Sequence, residues 1–269
     1  MISVKKVRTT TLRDFKAAGQ KIVCLTSYDS LTAAIFDAAE VDVLLVGDSA
    51  ADNALGQSST LAITVDEMIP FAKAVVTGAN RALVVVDMPF GSYEVSEEQA
   101  LENAIKIMKL SGADAVKLEG GQSRVGVIRR LVENGIPVMG HLGFTPQSVN
   151  TLGGFKVQGR GDAAQLLLED AKAVEGAGAF AVVLELIPAA VAKDVSAALS
   201  IPTIGIGAGA GADGQILVWT DFAGLTQGKT RKFVRRFAEI GEVLAKAAND
   251  YRAAVQGGEF PAKEHEFEN

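Results

Sequence analysis

The amino-acid sequence predicts an α/β chain closed into a single (β/α)8 barrel over residues 1–269, with an N-terminal helix and a C-terminal helical extension. Three observations point there. Short apolar runs rich in Val, Ile and Leu alternate about eight times with stretches of helical pattern, in a length normal for this TIM-barrel architecture. Polar residues stand where five successive runs stop: Asp48, Asp87, Glu119, His141 and Glu185. A closed ring brings all five to one centre, whereas a doubly wound open sheet, the structural rival, would spread the outermost more than ~15 Å apart. Finally, residues 112–119 (GADAVKLE) echo residues 178–185 (GAFAVVLE), and residues 136–140 echo residues 201–205 at nearly the same spacing. Glu119 and Glu185 then occupy equivalent ends of equivalent strands.

Taken in order, Thr10 or Thr11 caps a short helix over residues 12–18, stopped by Gly19. Residues 21–26 form the first strand, residues 31–39 an apolar-rich helix, and the run around Leu44 the second strand. Thr64 and Glu67 have capping-box spacing and start a helix. Strand three covers residues 83–86. Ser96 and Gln99 form another capping box, opening a helix to Leu110. Strand four is 115–118, followed by a helix over 125–133, and strand five is 137–139. A Gly-rich loop over 142–161 precedes a helix over 163–176. Strand six is 181–184, the next helix 189–199, strand seven 203–206 and strand eight 216–218. Residues 233–251 read as helix, and the acidic tail after Gly257 as loose.

Composition bounds the function. A hydrophobic content of 48% supports a sizeable core. Mean hydropathy is +0.23, yet the most apolar segment, 177–192, carries Glu185 and Pro188, so no transmembrane helix is predicted. Residues 1–6 lack the apolar core of a signal peptide. Cys24 is the single cysteine, which excludes an intrachain disulfide and fits a reducing cytoplasm. A net charge of −6 and a pI near 5.1 argue against nucleic acid or anionic membrane as partners.

The strand exits carry the chemistry. Residues two apart on a strand share a face, so Lys117 points with Glu119, Val46 with Asp48, Val85 with Asp87 and Val183 with Glu185. If the polar members face the axis, one site holds Asp48, Asp87, Lys117, Glu119, His141 and Glu185. Carboxylate oxygens, one histidine and no nearby cysteine suit Mg²⁺ better than Zn²⁺. Three carboxylates around one point repel without a cation. Each residue also has a plainer role open to it: Asp48 or Asp87 as a helix N-cap, Lys117 as a counter-charge to Glu119, His141 as a donor to a backbone carbonyl. Gly205, Gly207 and Gly209 could form a phosphate loop, but close packing at the end of strand seven is the preferred reading.

Several motifs together resemble the ketopantoate hydroxymethyltransferase family: LVGDS at 45–49, VKLEGG at 116–121, GHLGFTPQS at 140–148, KVQGR at 156–160, and GIGAG at 205–209 with DGQILV at 213–218. The resemblance runs from about Thr11 to Glu266. It implies a (β/α)8 barrel, bound Mg²⁺, 5,10-methylenetetrahydrofolate as one-carbon donor, the first committed step of pantothenate synthesis, and a homodecamer. By position, Asp48, Asp87 and Glu119 match the family's metal-site acids. Ser49, Asp87 and Lys117 match ketoacid contacts, and Glu185 matches the general base. The substrate-binding set is then Asp48, Ser49, Asp87, Lys117 and His141. Residues 57–60 (QSST) and Trp219 depart from the family pattern, the former over the substrate lid.

General chemistry is consistent with this. A 2-oxo acid chelates Mg²⁺ through keto and carboxylate oxygens, and the metal stabilises the enolate left when the C3 proton departs. Glu185, framed by apolar residues with few donors, suits the base. Lys117 offsets substrate charge, and His141 orients either the base or the substrate carboxylate. Residues 153–161 read as a lid. Two other functions stay open: a Mg²⁺-dependent lyase or mutase of the phosphoenolpyruvate mutase type, and a non-catalytic barrel serving as a binding or assembly module.

Overall fold

Eight apolar runs pair in parallel and close on themselves in strict sequence order. The computed structural model describes residues 5–226, 228 and 230–267. The elements are α1 (Thr9–Ala17), β1 (Ile22–Thr26), α2 (Ser30–Ala38), β2 (Val43–Val46), α3 (Ala50–Asn53), α4 (Val65–Gly78), β3 (Leu83–Asp87), α5 (Glu97–Ser111), β4 (Ala115–Glu119), α6 (Val125–Glu133), β5 (Val138–Gly143), α7 (Val149–Leu152), α8 (Ala163–Gly176), β6 (Ala181–Glu185), α9 (Ala189–Ala198), β7 (Thr203–Ile206), β8 (Gly214–Leu217), α10 (Trp219–Phe222) and α11 (Ile240–Gln256). Two units divide between Val218 and Trp219. The first contains the whole barrel; the second carries α10 and α11.

Strands β2, β3, β4 and β6 are buried along their whole length, as parallel strands covered on both faces must be. The interior cluster takes alternate residues, among them Val43, Leu45, Leu83, Val85, Ala115, Met139, Ala181 and Val183. Val7 and Leu12, with Phe15 against them, join this cluster, so α1 plugs the N-terminal mouth. Three acids tie that lower rim. Asp42, Asp114 and Asp213 each precede an even-numbered strand and accept an amide from the strand before it: Val23 N–H at 3.0 Å, Val84 N–H at 2.9 Å and Thr203 N–H at 2.8 Å. Each also meets a cation, Arg81 at 2.7 Å, Lys6 at 2.9 Å and Lys16 at 2.7 Å respectively. Such charge-assisted bonds contribute about 1.5–3 kcal/mol where buried and less at this partly wet rim.

Several boundaries differ from the sequence expectation. Thr10 and Thr11 lie inside α1, where Thr11 Oγ1 accepts the Arg8 N–H at 3.1 Å, so neither residue is the N-cap. The capping box at Thr64 is fully formed. Ser96 does cap α5, but Gln99 reaches past it to the Val95 N–H. The long Gly-rich loop is shorter than expected: β5 runs on through Gly143, Pro146 opens a 3-10 turn, and α7 follows, leaving residues 144–145 and 153–162 without regular structure before α8. β8 lies two residues earlier than placed, because its register is set by pairing with β1 and β7. No helix joins β7 to β8; residues 207–213 make the crossover alone. There Gly209 packs on Ala189, which supports the close-packing reading of the glycines.

In the second unit the long helix starts at Ile240, not before, since residues 233–239 fold back to bring Phe237 beside Phe222, ring centroids 6.2 Å apart. The tail after Gly257 is not loose through Phe267. Phe260 packs on Tyr251 and on His265, with centroids 5.6 and 5.0 Å apart.

Candidate active site

Strand parity delivers four of the five exit residues to the axis. Val85 leads to Asp87, Ala115 to Lys117 and Glu119, Met139 to His141, and Val183 to Glu185; the lower members are all in the interior cluster. Asp48 arrives differently. On β2 the inward residues are Val43 and Leu45, so the expected pairing of Val46 with Asp48 on the axial face is wrong. The strand ends at Val46, and the turn at Gly47 swings Asp48 inward, where its N–H donates to Asp87 Oδ2 at 3.0 Å. A Cβ on Gly47 would lie 2.8 Å from Ser49 Oγ and 3.5 Å from Asp87 Oδ2, so both side chains close over it.

The resulting cluster is almost dry: Asp48, Asp87, Lys117, Glu119, His141 and Glu185 are each at most 8% exposed. Lys117 Nζ pairs with Asp87 Oδ1 at 2.8 Å and lies 3.2 Å from His141 Nδ1. His141 bridges two acids, Nδ1 at 3.3 Å from Glu119 Oε1 and Nε2 at 3.2 Å from Glu185 Oε2. Asp87 Oδ1 and His141 Nε2 are close to opposite charge but out of line for a hydrogen bond. Glu185 does have apolar neighbours in Val183, Leu184 and Ile187, but His141 beside it corrects the expectation of a carboxylate with few donors. Ser49 Oγ is held 2.8 Å from Tyr28 Oη.

Electrostatics follow from this packing. Burial pushes Asp48 well above the usual carboxylate range, and the neighbouring charges of Asp87 and Glu119 push it further. For Lys117, burial alone favours loss of the proton, but Asp87, Glu119 and Asp48 outweigh it and keep the ammonium charged. Burial and Lys117 likewise press His141 down, yet the acids Glu119 and Glu185 on either side of the ring win and raise it to about 9. When His141 is charged, Nδ1 carries a hydrogen and faces Glu119 Oε1 at 3.3 Å, so it does not accept from Lys117.

Sequence reasoning missed two participants. Gln147 sits in the turn after β5 and is 7% exposed. Its backbone N–H donates to Glu119 Oε2 at 3.0 Å, and its Nε2 donates to Asp48 Oδ2 at 2.9 Å and to Met88 O at 3.0 Å. Buried Tyr93 donates its hydroxyl to Gln147 Oε1 and accepts the Glu119 N–H at 3.3 Å. Neither lies on a periodic element; the one local signal is the Thr145–Pro146 helix start directly above a strand exit. Gly143, with φ +89°, approaches the Glu185 carbonyl so closely that a Cβ would sit 2.2 Å from it. Beside the cluster, a cavity of about 230 Å³ lies among Gly120, Gly143, Thr145, Gln158, Gly159 and Asp170.

Among the described residues, no three His, Cys, Asp or Glu side chains stand as a ready-made metal shell. Asp87 is turned to Lys117, and Glu119 to His141 and Gln147. The donors nonetheless fit a hard divalent ion: they are carboxylate oxygens, and the mutual repulsion that lifts Asp48 is what a dication would relieve.

The chain as a whole is similar to known proteins. The model of the ketopantoate hydroxymethyltransferase family matches residues 6–263. A 3-methyl-2-oxobutanoate hydroxymethyltransferase of Corynebacterium efficiens is 57% identical over 262 residues, covering 97% of both chains. The enzyme of that name from Corynebacterium glutamicum is 56% identical over 266 residues, covering 99% of both. Among solved structures, phosphonopyruvate hydrolase in complex with oxalate and Mg²⁺ superposes with a TM-score of 0.61 at 11% identity, covering 96% of this chain and 92% of the other. A 2,3-dimethylmalate lyase of the PEP mutase/isocitrate lyase superfamily also gives 0.61, at 17% identity, covering 99% and 93%. These two share the fold. With a family model matched along nearly its whole length and relatives more than half identical, the chain belongs to the ketopantoate hydroxymethyltransferase family.

Proposed function

We propose that the chain carries out its family's reaction, hydroxymethyl transfer to 3-methyl-2-oxobutanoate giving 2-dehydropantoate, by enolisation at the buried acid cluster. In this reading Asp48, Asp87 and Glu119 hold Mg²⁺, and 5,10-methylenetetrahydrofolate supplies the carbon. When bound, the ion supplies Lewis-acid stabilisation of the charge that develops on a 2-oxo acid as its C3 proton leaves. The observation that carries the reading is the contact of Glu185 with His141 inside the same cluster as Lys117 and the three acids.

Glu185 takes the C3 proton. His141 engages its Oε2 at 3.2 Å and so orients the carboxylate. Lys117 balances the substrate carboxylate while staying paired with Asp87. Ser49, oriented by Tyr28, offers a hydroxyl to the ketoacid. Asp48, Asp87 and His141 complete the substrate-binding set. Residues 153–161, anchored by the Gln158 N–H to Leu186 O at 2.9 Å, form a lid next to Glu185. The same reading places the chain in the cytoplasm as a homo-oligomer, a decamer by family resemblance. The single cysteine fits the location, and among the described residues no helix is long and apolar enough to cross a membrane; the oligomer rests on the resemblance alone.

The test is formation of 2-dehydropantoate from 3-methyl-2-oxobutanoate and methylenetetrahydrofolate, with and without a chelator. Product that depends on both folate and Mg²⁺ supports the reading. Cleavage of the 2-oxo acid without folate would favour lyase or mutase chemistry, and a chain that binds ligand without turnover would favour a binding module.

A further inference from the structure

Gln147 makes four hydrogen bonds, three through its side chain and one through its backbone N–H. The amide oxygen accepts from Tyr93, both amide hydrogens are donated, and the backbone N–H goes to Glu119. The orientation of that amide follows from chemistry. Asp48 and the Met88 carbonyl are acceptors, so the nitrogen must face them, and the Tyr93 hydroxyl fills the remaining side. With its hydrogen committed to Gln147, the Tyr93 oxygen receives the Glu119 N–H.

The bonds close a ring. Glu119 N–H leads to Tyr93, Tyr93 to the Gln147 amide, and Gln147 back to Glu119 through its own N–H, with a branch to Asp48. It joins β4 and the turns after β2, β3 and β5, across strands that the barrel already pairs. Each of Asp48 and Glu119 gives one oxygen to Gln147 and keeps its other oxygen outside this ring. A side chain that binds one oxygen of each of two mutually repelling carboxylates sets both their separation and the direction of their remaining lone pairs.

We propose that Gln147, locked by Tyr93, is a positioning residue that preorganises Asp48 and Glu119 for one divalent cation. This rests on the metal reading given above, and it predicts that cation affinity is governed from outside the ligand set. Losing a second-shell bond of this kind weakens a metal site by roughly 10–100-fold.

The experiment is a Mn²⁺ titration followed by electron paramagnetic resonance, on the full chain without substrates, comparing the parent with Tyr93→Phe and Gln147→Ala. Circular dichroism melts are recorded in parallel. Tyr93→Phe keeps the ring and removes only the lock, so it remains informative if Gln147→Ala folds poorly. The expected result is Mn²⁺ affinity lowered about tenfold in Tyr93→Phe and further in Gln147→Ala, without loss of the folded signal in Tyr93→Phe. In turnover, Tyr93→Phe should regain most of the parental rate when Mg²⁺ is raised by the same factor. A parent that binds Mn²⁺ and a folded Tyr93→Phe that binds it equally well overturn the positioning role alone. A parent that binds no Mn²⁺ overturns the metal reading itself, and the proposal with it.

Discussion

Glu185→Gln separates proton abstraction from every other role of this carboxylate. Glu185 is the last residue of β6, is 8% exposed, and meets His141 Nε2 at 3.2 Å through Oε2. Glutamine has the same length and presents its carbonyl oxygen to the charged imidazole, so the β6 backbone and the His141 contact survive. The stability cost is the charge-assisted part of one contact, about 1 kcal/mol. Catalysis loses far more: removing a general base costs on the order of 10²–10⁴ in rate, equivalent to about 2.7–5.5 kcal/mol of barrier. The assay is proton NMR of 3-methyl-2-oxobutanoate in D₂O with Mg²⁺ and no folate. The parent should wash out the C3 hydrogen, and Glu185→Gln should do so at least ~10²-fold more slowly while still binding the ketoacid. If Glu185 serves only as the partner of His141, the variant, which keeps that contact, exchanges normally once saturated with ketoacid. Normal exchange at saturation would therefore refute the assignment.

Three further outcomes are expected. Asp48→Asn, Asp87→Asn and Glu119→Gln should each weaken Mg²⁺ binding severalfold or more by calorimetric titration, and parental affinity in all three would sink the metal assignment. Hydrogen exchange should show residues 153–161 gaining protection when ketoacid and Mg²⁺ are added; strong, equal protection in both states would count against a lid, although Phe155 already packs on Phe144 with centroids 4.6 Å apart. Glu175 tests the fold through pH. Burial there favours the neutral acid, but three bonds outweigh it, from Ser200 N–H and Oγ at 2.7 Å each and Ile201 N–H at 3.1 Å, and lower the folded pKa. A lowered folded pKa adds stability above the unfolded value of 4.5, lost as pH falls through the folded value. Glu175→Gln should therefore cost about 1 kcal/mol at pH 7, after allowance for exposure, with the gap to the parent closing in denaturant melts as pH falls below 4.5 and through the folded value. A gap that is constant with pH would contradict this.

What the sequence determined by itself is local. Apolar runs of four residues identify β2, β3, β4, β6 and β7 because burial leaves few alternatives for such runs, whereas only the start of β5 was legible, its second half being interrupted by Gly140 and His141. The helices at 125–133 and 163–176 and the Thr64 capping box were equally legible, since their signals span three or four residues of one turn. Acids at strand exits pointed to the site, because a carboxylate at the end of a buried run must find a cation or donor.

Partnership was decided only in three dimensions. Which cation meets which acid depends on how the barrel staggers its strands: parity alone left Lys117 beside Glu119, while the register of β3 on β4 puts it against Asp87. Asp48 reaches the cluster through a turn, not through the alternation of β2. β8 was misplaced because four weakly apolar residues are held by their neighbours on either side, a constraint that exists only once the barrel closes. Gln147 and Tyr93 lay beyond sequence reasoning for the same physical reason. A neutral side chain on a loop has no periodicity, and its importance comes from the acids that the closed barrel gathers around it.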